Sequence, residues 1–350
     1  MTESHKKMFL LLAMMTCLIA VLSTAIVKRG AGMWGYIDKT GKMIIKPHFE
    51  SAREFSEGLA AVMVERKWGF IDKSGKMVIK PQFLKGRGES LEFSEGLAAV
   101  SILGQGEGFI DKAGKLVIKP VLAEAGNFHE GLARVRFDEN DVKFGFIDKA
   151  GKPVIAPQFI GAGDFSEGLA PVEDHSGHYG FIDKAGKTII NPQFIFASSF
   201  HDGLASATLG SKISETGQAD RFIDKTGNFV IKREFDFANS FSEGFSVARV
   251  DGKDGYIDKT GKLVFAVNAN FGRVKLVGFS DGLSLVEISL RDQGFRERYG
   301  YIDRTGKMVI NPNFEEAGSF QDGLAPVSTA APSFIDDLFW LFNRVDVRRE

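Results

Sequence analysis

Two kinds of carboxylate recur along the chain at fixed positions. One heads an Asp-Lys-x-Gly type of turn, at Asp38, Asp72, Asp111, Asp148, Asp183, Asp224, Asp258 and Asp303. The other precedes a glycine, at Glu57, Glu95, Glu130, Glu167, Asp202, Glu243, Asp281 and Asp322. Calcium binding would need roughly six to eight oxygens from several carboxylates. Each Asp turn offers one carboxylate followed by a cation, so a hairpin turn is the expected role. The Glu/Asp-Gly turns carry the same expectation unless two of them converge in space. His175-Ser176-Gly177-His178, with Asp174 beside it, brings two imidazoles to a spacer, which falls short of a metal centre. There is no strand–GxGxxG–helix context, no phosphate loop and no Gly-x-Ser-x-Gly elbow. An active site is built once, whereas these motifs occur eight times. Their role is therefore structural: no catalytic, cofactor-binding or metal-ligating residue is assigned, no cofactor is expected, and the chain reads as a non-enzyme. Trp34, Trp68, Phe144, Tyr179 and Tyr299 would form a ladder for sugar or peptide chains if exposed. Their apolar strand neighbours predict core packing instead.

The elements that carry these residues are repeats. An Ile-Asp step recurs at Ile37, Ile71, Ile110, Ile147, Ile182, Ile223, Ile257 and Ile302, at spacings of 34, 39, 37, 35, 41, 34 and 45 residues. A constant core with variable spacers marks a repeat architecture. In residues 67–83, Asp72-Lys73-Ser74-Gly75 lies between two apolar runs. Asp at the head and Gly at the end predict a three-residue hairpin loop closing on a glycine bulge. That turn places Ile71 opposite Met77 and Phe70 opposite Val78. Strand alternation then puts Ile71, Met77 and Ile79 on one face, with Gly69 leaving room, and Trp68, Phe70 and Val78 on the other. The second half of the unit reads Phe-x-Glu/Asp-Gly-Leu-Ala and leads into an alternating run such as Leu59–Val64. Each unit is read as three short strands. A lone hairpin is marginal in water, so neighbouring units must stack.

Lys67-Trp68-Gly69, Trp34-Gly35, the Ile-Asp-Lys-x-Gly-Lys turn and the Phe-x-Glu-Gly-Leu-Ala element together resemble the WG (KWG) repeat family of bacteria. The resemblance covers roughly residues 34–328. It implies a β-rich repeat array, often exported, with no established catalytic residue to carry over. Several copies depart from the pattern. The Trp position holds Glu107, Phe144, Tyr179, Asp220, Asp254 and Tyr299, Arg221 replaces a glycine, and Ala266-Val267-Asn268 replaces Lys-Pro-Gln. Those copies are expected to be looser or to carry a distinct surface.

The chain of 350 residues has a net charge of −1, which offers no basic surface of the kind nucleic acid needs. Its one cysteine, Cys17, excludes an intrachain disulfide or a cysteine-rich zinc site. Residues 8–27 are uninterrupted by charge and follow Lys6 and Lys7. They read as a cleaved signal peptide or an uncleaved membrane anchor, with a lipoprotein at Cys17 fitting poorly. All three readings export the repeats. Residues 1–29 are thus a signal or anchor, 30–328 the repeat array, and 329–350 an amphipathic helix expected to cap the last repeat. The spacers 84–91, 101–106, 136–143, 173–178, 210–220, 268–278 and 289–298 differ between copies. In repeat arrays such insertions often gather on one face, and that face often binds.

The expected fold is an all-β array of eight three-stranded units in an open, solenoid-like stack, with a closed eight-bladed β-propeller as the alternative. The expected function is a non-catalytic exported scaffold that binds protein or glycan at the cell envelope, periplasmic or extracellular. An envelope enzyme or enzyme accessory with a site between repeats is one alternative. A purely structural spacer is the other. Membrane contact is expected only through residues 8–27, and no nucleic-acid partner is expected.

Overall fold

The computed structural model describes residues 32–84, 91–209, 220–266, 274–290 and 296–329. The expected signal or anchor and the expected carboxy-terminal helix lie outside the described residues. Thirty strands and no helix are formed among the described residues.

Blades are built of four strands rather than three, except that Ser246–Val250, Lys253–Ile257 and Leu263–Ala266 form a three-stranded sheet whose fourth position is a single bridge, Ala238↔Ala248. In one blade the four run Ser51–Ser56, Leu59–Val64, Lys67–Asp72 and Met77–Phe83, paired antiparallel in that order. The strand missing from the sequence reading is the first. Its alternation is broken by a register shift between Ala52 and Phe55, which puts Arg53 and Glu54 together in mid-strand. It needs little extra chain, because only Glu50 separates it from the outer strand Met43–Phe49 of the preceding blade. At Thr188–Ala197 no break is left, and one strand pairs with both blades.

The repeat and the blade are out of step. One repeat supplies the third and outer strands of one blade and the first two strands of the next. The described residues therefore begin and end with half a blade. Met33–Asp38 pairs with Leu324–Thr329, from Met33↔Thr329 to Asp38↔Leu324. The two halves complete one sheet, and the array closes into a ring of eight blades. This corrects the expected open stack: the strand edges at Met33–Asp38 and Leu324–Thr329 find each other.

An aromatic residue on the third strand of each blade meets a Phe that precedes the Glu/Asp-Gly turn of the next blade. The pairs are Tyr36–Phe55, Phe70–Phe93, Phe109–Phe128, Phe146–Phe165, Phe181–Phe200, Phe222–Phe241, Tyr256–Phe279 and Tyr301–Phe320, with centroids 4.7–5.0 Å apart. Each such pair contributes about 0.5–1.5 kcal/mol beyond its burial. Where the residue is Tyr, its hydroxyl donates to an inner-strand carbonyl of the next blade: Tyr36 to Arg53, Tyr256 to Val277 and Tyr301 to Gly318, at 2.7–2.9 Å. Burial pushes the Tyr256 hydroxyl up to about 12.

The hairpin after Asp72 forms as expected, with Ile71 opposite Met77. Its register then slips, so Phe70 faces Ile79 rather than Val78. The bulge turns Val78 outward (43% exposed) and buries Ile79 (3%). The outer strand then crosses close over Gly69, where a Cβ would lie 2.5 Å from the Ile79 carbonyl oxygen. This close approach accounts for the glycine of the Trp-Gly pair. Pro81 sits beyond it on the edge strand, where a missing N–H costs nothing.

Candidate functional site

Strands alternate in direction, so each blade presents two ends. One end carries both families of turn. Each Asp heading the hairpin between the third and outer strands spends its carboxylate inside that turn: Asp72 Oδ1 accepts from Ser74 N at 2.9 Å, Ser74 Oγ at 2.6 Å and Lys76 N at 3.1 Å. The Ser74 hydroxyl is the largest influence that lowers the Asp72 carboxyl, followed on the lowering side by the backbone N–H groups. Asp174 does the same for Ser176 and His178 N, and Ser176 Oγ lies 2.9 Å from His178 Nδ1. The His175–His178 stretch is thus a further hairpin turn.

The Glu/Asp-Gly turns do converge with other turns, but on cations and amides rather than on other acids. Each acid accepts from the glycine N–H of the next blade: Glu57 from Gly96, Glu95 from Gly131, Glu130 from Gly168, Glu167 from Gly203, Asp202 from Gly244, Glu243 from Gly282, Asp281 from Gly323 and Asp322 from Gly58. These bonds are 2.6–3.1 Å. The same acids pair with Lys112, Lys149, Lys184, Lys225, Lys259, Arg304, Lys39 and Lys73 respectively, at 2.6–4.0 Å. Each cation belongs to the same next blade as the glycine, so the clamps run once round the ring without a gap. All eight acids sit at positive φ, 52–57°. That conformation is strained for a side-chain-bearing residue, and it aims the carboxylate across the joint. Burial works to raise Glu57, Glu95, Glu130 and Glu167, but the lysine and glycine bonds outweigh it and hold them below the usual carboxylate range. The sequence contained the signal: acid and Lys/Arg recur eight times each, in matching numbers.

Inner strands of successive blades touch; Ser56 Oγ donates to the Phe93 carbonyl at 2.6 Å, and Ser242 Oγ to Phe279 at 2.6 Å. Charged groups gather along this inner edge on one side of the ring. Burial raises the Glu92 carboxyl, Glu54 adds to the rise, and Arg53 and His129 oppose it. Glu54 accepts from Ser319 N, and Asp164 lies 3.2 Å from Arg134 Nε and 3.6 Å from His129 Nε2. The position before the Phe is Ser199, Ser240, Gly278 and Ser319 on the other side. Among the described residues, no three His, Cys, Asp or Glu side chains are grouped to hold a metal.

The opposite end of the ring is where the copies differ. The strands flanking every variable spacer point their connecting ends to this face. A cleft of about 620 Å³ opens here, lined by Leu84, Ser101–Glu107, Val121–Ala123 and Phe137–Glu139. It lies at the copy in which Glu107 replaces the aromatic residue. Trp68 fills the equivalent space one blade earlier and is 2% exposed. Glu107, itself 4% exposed, turns its shorter side chain to accept from Ala125 N at 2.7 Å. Asp220 makes the matching bond to Ala238 N at 2.9 Å. Leu103 (79% exposed) and Val121 (69%) stand at the mouth of the cleft. Trp34, Phe144, Tyr179 and Tyr299 are half-buried, so the aromatic positions form no exposed ladder.

A ring of eight blades closed by pairing the first strand with the last is a β-propeller. Residues 34–68, 68–104, 108–140, 144–175, 179–212, 221–253 and 299–329 match the family model described as WG containing repeat, more than half of the chain. The chain belongs to this family. The copy between residues 253 and 299 falls outside the matched segments, yet Lys253–Ile257 and Leu263–Ala266 still form blade strands. No curated protein matches the sequence. Among solved structures the chain is similar to the computationally designed Ika8 protein, with TM-score 0.51 and 10% identity over 79% of this chain and 95% of that one. It is also similar to BamB from Moraxella catarrhalis, with TM-score 0.49 and 9% identity over 80% and 96%. A third is the WD40 β-propeller domain of Doa1, with TM-score 0.39 and 11% identity over 78% and 89%. At these identities the likeness concerns the fold alone.

Proposed function

We propose that the protein is a non-catalytic, exported binding scaffold that presents its variable face to a protein or glycan partner at the cell envelope. One observation carries this reading. The turn face is built the same way eight times, whereas all the variable spacers leave from the opposite face. Equivalent residues at every blade serve the joints, so partner choice falls to the face where blades differ. The cleft beside Leu103 and Val121 supplies an apolar slot there, with Asp138 and Glu139 at its edge. Export rests on the uncharged run of residues 8–27.

The test is a pull-down with the full chain against solubilised envelope proteins, peptidoglycan and polysaccharide, run beside a Leu103→Arg variant. A saturable partner that the variant loses, while its melting curve is unchanged, supports the reading. A partner retained by the variant and by versions with shortened spacers removes the variable face from the proposal. Amino-terminal sequencing of the mature protein from fractionated cells decides between signal and anchor.

A further inference from the structure

The outer strands do not carry the same charge all the way round. Their solvent-facing rows in three successive blades read Lys42-Ile44-Lys46-His48, Lys76-Val78-Lys80-Gln82 and Lys115-Val117-Lys119-Val121, every residue exposed. The rows hold six lysines and no acid. None of these lysines forms a salt bridge among the described residues, whereas the turn lysines Lys39, Lys73 and Lys112 are each committed to a clamp. The upper members, Lys42 and Lys76, lie in the field of their own turn carboxylates, Asp38 and Asp72. The lower members, Lys46, Lys80 and Lys119, lie beyond the apolar residue and away from those turns.

The lower position is Ala156, Asn191, Ala266 and Asn311 in four of the five other copies; the fifth has Lys232, with the acid Glu234 two residues further along the same row. A lysine on an edge strand ordinarily guards against sheet-to-sheet aggregation. That role alone would require it on every blade, since the outer strands are equally open: Val154 and Val309 are 46% and 44% exposed, Ile44 and Val78 both 43%.

We propose that the outer wall of these three blades docks a linear anionic polysaccharide, gripped by Lys46, Lys80 and Lys119. Pro47, Pro81 and Pro120 follow the three lysines and remove a backbone donor, so an added β-strand is not the mode of capture. Recognition falls to ammonium groups on flexible stems, which suit carboxylates or sulfates repeated along a chain. Eight blades in a closed ring turn the wall by roughly 45° per blade. A flat bilayer meets such a wall at one blade at a time, whereas a flexible polymer follows it. Single-stranded nucleic acid is disfavoured because these rows offer no Phe, Tyr or Trp for bases to stack on. The wall meets the variable face at Val121, which neither experiment substitutes, so either proposal can fail without the other.

The experiment is affinity electrophoresis of the full chain in gels containing polygalacturonate at physiological salt. Neutral dextran, oligothymidylate and phosphatidylglycerol vesicles serve as the other probes. The variant Lys46→Glu/Lys80→Glu/Lys119→Glu is expected to weaken polygalacturonate binding by about tenfold or more. Lys152→Glu/Lys187→Glu/Lys262→Glu changes net charge equally on other blades and is expected to leave binding within about twofold. The neutral triple Lys46→Gln/Lys80→Gln/Lys119→Gln should weaken binding in the same direction, and covers the case in which charge reversal disturbs folding. Equal loss in the two reversal variants, no retention by polygalacturonate, or tighter binding to oligothymidylate or vesicles would each overturn the proposal.

Discussion

Replacing Asp322 by alanine tests whether the ring is closed in solution. Asp322 Oδ2 accepts from Gly58 N at 2.6 Å, and Lys73 Nζ lies 3.8 Å away, so the side chain joins positions 264 residues apart. A carboxylate-to-amide bond of this kind contributes about 1–2 kcal/mol at a rim where water can replace part of it. The lysine adds only a few tenths of a kcal/mol (roughly 0.2–0.5), because the pair is long and half exposed. Alanine also tolerates the positive φ of 56° less well than aspartate, at a cost of roughly 0.5 kcal/mol. The expected loss is about 1.7–3 kcal/mol, or about 3–5 °C in Tm for a domain of roughly 300 residues. Asp202 is the matched control inside the chain: φ 57°, Gly244 N at 2.7 Å and Lys259 at 4.0 Å. Urea and thermal unfolding followed by circular dichroism should give equal losses for Asp202→Ala and Asp322→Ala. If Asp202→Ala destabilises and Asp322→Ala changes only by the φ contribution, the ends do not meet and the ring is refuted.

The bulge in the outer strand makes an unusual prediction. Val78→Ala should stay within about 0.5 kcal/mol of the parent, while Ile79→Ala should cost about 2–4 kcal/mol, and a regular register would reverse that order in urea unfolding. Gly69→Ala drives a Cβ to 2.5 Å from backbone and is expected to cost at least about 2 kcal/mol, read as a lowered melting temperature or loss of soluble protein; an unchanged Tm sinks the close-approach account. For pH, the folded-state pKa values of Glu57, Glu95, Glu130 and Glu167 lie below the unfolded ones. Their contribution is complete above the unfolded carboxylate range and is lost as pH falls through the folded value. The urea midpoint should hold from neutrality to about pH 5 and decline below about pH 4.5, with a shallower decline once all four are Gln. A decline of equal slope in that variant would remove the clamps as its cause.

Much of the fold could be read from local chemistry. Asp72 and Gly75 announced a turn that forms with the expected bonds, and Gly69 was rightly read as leaving room. The seven matched segments agree with the family resemblance drawn from Trp-Gly and Ile-Asp-Lys. What sequence did not disclose depends on joints between units. The strand Ser51–Ser56 looks like a spacer because its bulge breaks the period of two. Val78 looks buried until the register slips beside Phe70. Closure stands in the sequence only as the alternative to an open stack, because the matching half-blades at Met33 and Thr329 are about 296 residues apart and no local pattern pairs them. The clamp acids were recognised as turn residues; their partners belong to the next blade, beyond the reach of a local pattern. The cleft follows from a departure already noted, Glu107 in a tryptophan position, but its volume is a property of packing.

The offset between repeat and blade bears on how such chains change length. Because each repeat ends in the first two strands of a blade that the next repeat completes, excising one copy leaves two half-blades that still match. Duplicating one copy does the same. Recombination between copies therefore yields another wheel with one spoke fewer or more, instead of a broken end. Circumference and hub width change together in whole steps, while every joint keeps the same aromatic pair and the same acid–glycine bond. In this design the number of copies is a setting for curvature, and the spacers are free to diverge without disturbing it.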